Sequence, residues 1–226
     1  MVQVMIGFKQ FINEEDESTF NLEKFKKDCA PFLELLKGTK GKKLLYRGDK
    51  HAPKDFDIRE WHERKRPVDM PSQVHDVLNG YFWQKYGEPF RNWTFGSGDI
   101  GVAGAYGDLT AIFPIGKFEW FGTLDHRFSD LTQLHSDIWN DMLNNQRKLP
   151  YEKQANNTKE KYELTSTELI NDIENSDWEF NTNFLRLLSS TNEIMWKCDK
   201  YYAFNISWSE KHEIFLDEVK PFLDTL

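Results

Sequence analysis

Three pieces far apart in the chain carry residue types that can do chemistry together. An arginine closes the apolar run Leu44-Leu45-Tyr46-Arg47-Gly48. A small-residue segment, Phe95-Gly96-Ser97, leads through Asp99 and Ala103 into Tyr106-Gly107, and a glutamate opens Asn192-Glu193-Ile194-Met195. A guanidinium offers a planar, permanently charged fork for phosphate or carboxylate oxygens. A carboxylate stabilises positive charge as it develops in a transition state. Trp93 or Tyr106 adds an aromatic face for stacking.

Other motifs lead nowhere as far. Gly96-Ser97-Gly98-Asp99-Ile100-Gly101 matches the G-x-G-x-x-G pattern of dinucleotide-binding folds, and Glu119 follows at a suitable distance. Only Ile100 to Tyr106 separate it from Gly107-Asp108 and the next strand, too short for a crossover helix. The glycines therefore read as a turn that brings backbone close to a ligand or another strand. The six histidines have no zinc-ligand spacing, and neither a G-x-S-x-G elbow nor a P-loop occurs. Two cysteines, Cys29 and Cys198, build neither a disulfide framework nor a thiolate metal site. No metal is expected.

Charge narrows the ligand. The net charge of −8 argues against a nucleic-acid coat, and no strong nucleic-acid signal is present. Between Lys37 and Arg91, however, 13 basic residues face 8 acidic ones, whereas the remainder holds 16 against 29. A basic segment on an acidic chain suits a local anionic ligand such as a diphosphate, or an ordinary solvated surface. With 226 residues, 15% aromatic content and mean hydropathy of −0.69, a well-buried core is expected and a membrane partner is not. The amino terminus has no basic region followed by an apolar run, so a cytoplasmic protein is expected.

The elements that must position these residues follow in order. Val2 to Phe8 alternate like a half-buried strand, and Glu14 to Glu17 mark a turn. Helical spacing at Leu22, Phe25, Cys29, Phe32, Leu33 and Leu36 predicts a helix capped by Asn21, kinked by Pro31 and ended by Gly38. Leu44 to Gly48 reads as a strand and residues 49–71 as a polar loop. A helix follows through Val74, Val77, Leu78, Tyr81 and Phe82, with Ser72 as cap. Trp93 to Phe95 and Thr110 to Ile115 read as strands around a short helix at Ile100, the second strand able to run on to Trp120. Residues 140–165 read as a mobile surface excursion, and Thr165 to Glu168 as a capping box opening a helix. A helical turn or two at Phe184 to Leu188 comes next. Glu193 to Lys197 and Tyr201 to Phe204 read as two strands parted by a turn at Cys198-Asp199-Lys200, before a final helix from Ser209. The order implies one α+β domain over residues 1–226, with a mixed or split, mostly antiparallel sheet flanked by helices. Residues 1–40 form a helical lead-in, 41–205 the sheet-containing core and 206–226 the closing helix.

The order of Arg47-Gly48, Ser97 and Glu193-Ile194-Met195 resembles the mono-ADP-ribosyltransferases of the arginine–serine–glutamate class, particularly the small enzymes encoded by bacteriophages. The resemblance is spread over residues 44–204. It implies NAD as substrate, with Glu193 as the catalytic carboxylate facing the ribose cation and Arg47, beside Gly48, holding the diphosphate or bracing the pocket. Ser97 would orient Glu193 or the ribose, and Tyr106 or Trp93 would stack on nicotinamide. The implied acceptor is a host macromolecule in the bacterial cytoplasm during infection. Thr191 stands where the family usually carries a Glu or Gln that engages the acceptor, and Phe95 where it often has its first serine. Two other functions fit the same sequence: a catalytically silent phage protein that binds and inhibits a host or defence protein, and an NAD-degrading or nucleotide-binding enzyme without a protein acceptor.

Overall fold

The computed structural model describes residues 19–64, 71–128, 136–137, 140, 158–207 and 213–226. The strand expected at Val2 to Phe8, the turn at Glu14 to Glu17, most of the excursion at 140–165 and the start of the final helix at Ser209 lie outside them.

Among the described residues six strands form one sheet: β1 (Leu45–Asp49), β2 (Phe56–Glu60), β3 (Thr94–Ser97), β4 (Asp108–Thr123), β5 (Trp178–Phe180) and β6 (Glu193–Asn205). Every pairing among them is antiparallel, so the sheet is not mixed. β4 and β6 are its spine, paired from Thr110–Asn205 to Gly122–Ile194. β3 and β2 lie end to end along the other side of β6, and β1 and β5 along the other side of β4. β1 and β3 then meet at Tyr46 and Ser97. The pairings β4–β6–β3–β1–β4 thus form a closed circuit, which leaves few unpaired strand edges there.

The spine strands are buried on both faces, which is why they read as nearly continuous apolar runs rather than as alternations. On one side Phe113, Trp196, Tyr202 and Phe204 pack on Phe25, Phe32 and Leu36 of helices α1 (Leu22–Asp28) and α2 (Ala30–Leu36). On the other, Phe121 and Met195 pack on Val74, Leu78 and Phe82 of α3 (Ser72–Tyr86) and on Leu169 and Ile173 of α5 (Thr158–Glu174). Between them α4 (Ile100–Gly104) follows β3, and α6 (Phe184–Leu187) precedes β6. A π-helical segment (Phe215–Val219) runs into α7 (Lys220–Leu223).

Local chemistry explains the boundaries. The Asn21 side chain accepts from the Lys24 amide at 3.0 Å, and Pro31, which lacks an amide hydrogen, sits in the first turn of α2 and splits the expected helix at Cys29. Four expectations are corrected. Pro71, not Ser72, occupies the cap position of α3. The polar loop at 49–71 contains β2, an edge strand whose Phe56 and Ile58 pack against the core. Thr165 lies inside α5, which the good helix formers upstream extend back to Thr158. β6 runs unbroken through Cys198-Asp199-Lys200, and the irregularity lies across from it, between Ile115 and Phe118 of β4. A polar tripeptide stays in the ladder when strands on both sides supply partners.

No helix among the described residues is long and apolar enough to cross a membrane.

Candidate functional site

The ladder brings the three chemical pieces into contact through their backbones. Ser97 is in register with Tyr46 on one side and with Glu193 on the other, so Arg47, Ser97 and Glu193 lie on three consecutive strands. Two glycines permit the approach. A Cβ on Gly48 would stand 2.2 Å from the Ala103 carbonyl oxygen and 2.8 Å from the Gly107 nitrogen, and one on Gly98 would stand 1.9 Å from the Leu188 carbonyl oxygen. All of these obstacles are backbone, which cannot rotate away. Gly48→Ala should therefore destabilise the protein by about 3 kcal/mol in urea titration. Gly80→Ala, in α3 with nothing within 4 Å, should instead stabilise it by about 0.5–1 kcal/mol.

Each assigned residue has a definite place. Glu193 opens β6, and its carboxylate lies 3.3 Å from the Arg91 guanidinium, with the two side chains 11% and 2% exposed. Ser97 is 1% exposed, and its hydroxyl accepts from the Asp99 amide at 3.1 Å. Asp99 caps α4, its Oδ1 accepting from the amides of Gly101 and Val102. Tyr106 is exposed beside this turn. Trp93 is 2% exposed, wedged between Phe90 and the Lys197 ammonium, so its ring is part of the core rather than an open stacking platform.

Arg47 points elsewhere. Side chains alternate along a strand, so it leaves β1 on the side opposite Tyr46, the residue in register with Ser97. Its electrostatic neighbours are Asp49 and Tyr201. Burial pushes the Asp49 carboxyl up, but the His51 amide and the Arg59 and Arg47 guanidiniums outweigh it and hold that carboxyl below its usual range. Asp49 also pairs directly with Arg59, which donates to the His51 carbonyl at 2.6 Å.

No family model, curated protein or solved structure matches this chain.

The structure adds residues that sequence reasoning missed. The Arg91 guanidinium lies over the Phe95 ring at 4.3 Å, and that of Arg64 lies 4.4 Å from the same ring. Asn79 of α3 fixes this corner: its Oδ1 accepts from the Arg91 amide at 2.9 Å, and its Nδ2 donates to Asn92 Oδ1 at 2.7 Å. Asn92 in turn donates to Glu63, and its carbonyl accepts from the Arg64 amide. The start of β6 is pinned as well, since the Asn192 side-chain Nδ2 donates to the carbonyls of Thr123 and Asp125 at 2.6 and 3.0 Å. Two cations, an aromatic ring and a carboxylate thus share one corner. Of these, Arg64 can bind an anion and the Glu193 carboxylate can face a developing cation, while the buried Arg91 guanidinium is paired with that carboxylate.

Burial pushes both cysteine thiols up, Cys198 to about 12, so neither supplies a thiolate near neutral pH. Among the described residues no group of His, Cys, Asp and Glu is arranged to hold a metal ion.

Proposed function

We propose that this chain transfers ADP-ribose from NAD to a host macromolecule during phage infection, with Glu193 as the catalytic carboxylate. The observation that supports the reading most is the register of β1, β3 and β6. Pieces separated by some fifty and a hundred residues become immediate neighbours at Tyr46, Ser97 and Glu193. In the reaction the bond between nicotinamide and ribose breaks, its electron pair leaves with nicotinamide, and an acceptor nucleophile takes the ribose carbon. Glu193 stabilises the positive charge on the sugar more than it stabilises the substrate. Arg64 at the edge of this corner suits an anionic ligand such as NAD, whereas Arg91, 2% exposed, is turned inward to Glu193. Tyr106, whose backbone lies against Gly48, carries an exposed ring.

Incubation with labelled NAD and host lysate tests this, following nicotinamide release and label transfer together. Release without transfer identifies NAD hydrolysis. Arg47→Lys distinguishes the family's assignment of the diphosphate to Arg47 from its place beside Asp49 and Tyr201. If Arg47 holds the diphosphate, KM for NAD rises about tenfold with kcat nearly unchanged. An unchanged KM removes Arg47 from the site.

One observation favours the partner-binding reading. Trp83 is 61% exposed, with Val77 also exposed on the same helix, whereas Trp93, Trp120 and Trp196 are buried. An exposed tryptophan is a frequent anchor of protein interfaces. Failure to consume NAD, together with a host protein that co-purifies and is lost in Trp83→Ala, would decide for this reading.

A further inference from the structure

We propose that Arg91, held in place by the Phe95 ring, positions the Glu193 carboxylate for reaction. The inference rests on the reading of Glu193 as the catalytic carboxylate and deepens it. A carboxylate that must face one sugar carbon needs a fixed direction, because a displacement of about 1 Å can cost a hundredfold in rate. Residue 95 cannot donate a hydrogen bond, and the Ser97 hydroxyl, whose oxygen accepts from the Asp99 amide, has a single O–H to offer.

The geometry supplies another support. Phe95 and Ser97 share one face of β3, and Ser97 is in register with Glu193, so the ring and the carboxylate lie on the same face of adjacent strands. The Arg91 guanidinium spans them, 4.3 Å from the ring centroid and 3.3 Å from Glu193 Oε2. It is almost wholly buried, and Asn79 fixes its backbone from α3. Its Nε is buried without a hydrogen-bond partner, so part of its donor capacity is given up to hold this pose. The ring restrains the guanidinium and the guanidinium restrains the carboxylate. An aromatic residue at 95 is thus the foundation of the arrangement rather than a defect in it.

The test uses the full chain and NAD itself. Phe95→Leu, Arg91→Lys and Arg91→Met are each made alone and combined with Glu193→Gln, and kcat, KM, NAD affinity by calorimetry and melting temperature are measured. Phe95→Leu, which keeps apolar volume without the π face, should lower kcat roughly threefold to thirtyfold. Arg91→Lys keeps the charge without the fork and should lower it about tenfold, and Arg91→Met about a hundredfold. KM should stay within about twofold in all three, since the substrate ground state is untouched. On the Glu193→Gln background none of them should lower kcat further, because residues that act as one unit are not additive.

A lower melting temperature with unchanged kcat, or losses that multiply in full with Glu193→Gln, would make the pair purely structural and overturn the proposal. If Arg91→Met does not fold, Phe95→Leu and Arg91→Lys decide alone. Failure of the parent reading looks different: wild type then leaves NAD intact, or Glu193→Gln turns it over as fast as wild type.

Discussion

Glu193→Gln protein should release nicotinamide from NAD roughly a hundred to a thousand times more slowly than wild type. Glutamine keeps the shape of the side chain and an oxygen that can accept from Arg91, but it removes the negative charge. The transition state loses an interaction of about 3–4 kcal/mol that the ground state hardly feels, so kcat falls and KM does not. The buried ion pair adds a second consequence. Arg91 is left without its counter-charge, and breaking a buried pair from one side is destabilising. The variant should melt earlier than wild type, and turnover is to be compared well below both transitions. Equal turnover in the two proteins would remove Glu193 from the chemistry.

The largest effect on stability is expected at Phe121. Its ring is fully buried, stacked on Phe90 at 3.6 Å and on Trp178 at 5.0 Å, with the edge of Phe82 at 5.2 Å. Phe121→Ala removes the shared partner of this cluster and should cost about 3–5 kcal/mol. That is a large share of the roughly 5–15 kcal/mol that holds a domain together. Leu216→Ala, at an exposed position, should cost less than about 0.5 kcal/mol in the same urea titration. Phe90 directly precedes Arg91, so the Phe121 cavity also loosens the turn that carries the Arg91–Glu193 pair. Activity should therefore fall in Phe121→Ala even where most molecules remain folded.

Elements with a strong local signature could be read from the sequence. Phe25, Cys29, Phe32 and Leu36 recur at helical spacing, and Asn21 and Pro31 act as their side-chain chemistry dictates. β2 escaped because Phe56 and Ile58 alternate with charged residues inside a polar stretch, and only pairing with β6 makes them a strand. The break expected at Cys198 failed for the same reason, since strands on both sides outweigh the local turn preference. At the site, Ser97 and Glu193 were legible as a pair of motifs in order, whereas Arg91 carried no motif. Its role depends on Phe95 and on a residue a hundred positions later, which no local pattern encodes. The one sequence hint was that the basic stretch ends at Arg91.

The closed strand circuit also governs when the protein can come into being. A ribosome delivers β1 to β4 first, yet β2 and most of β3 wait for β6 to pair with, and β6 comes last of the six strands. Until Asn205 is made, Phe95, Phe113 and Phe121 belong to a sheet lacking its central member. Such long-range pairings fold slowly and leave apolar surface open to aggregation meanwhile. Domain formation is accordingly tied to the synthesis of β6, and a message cut short before it yields a fragment in which β2 has no partner and the circuit cannot close.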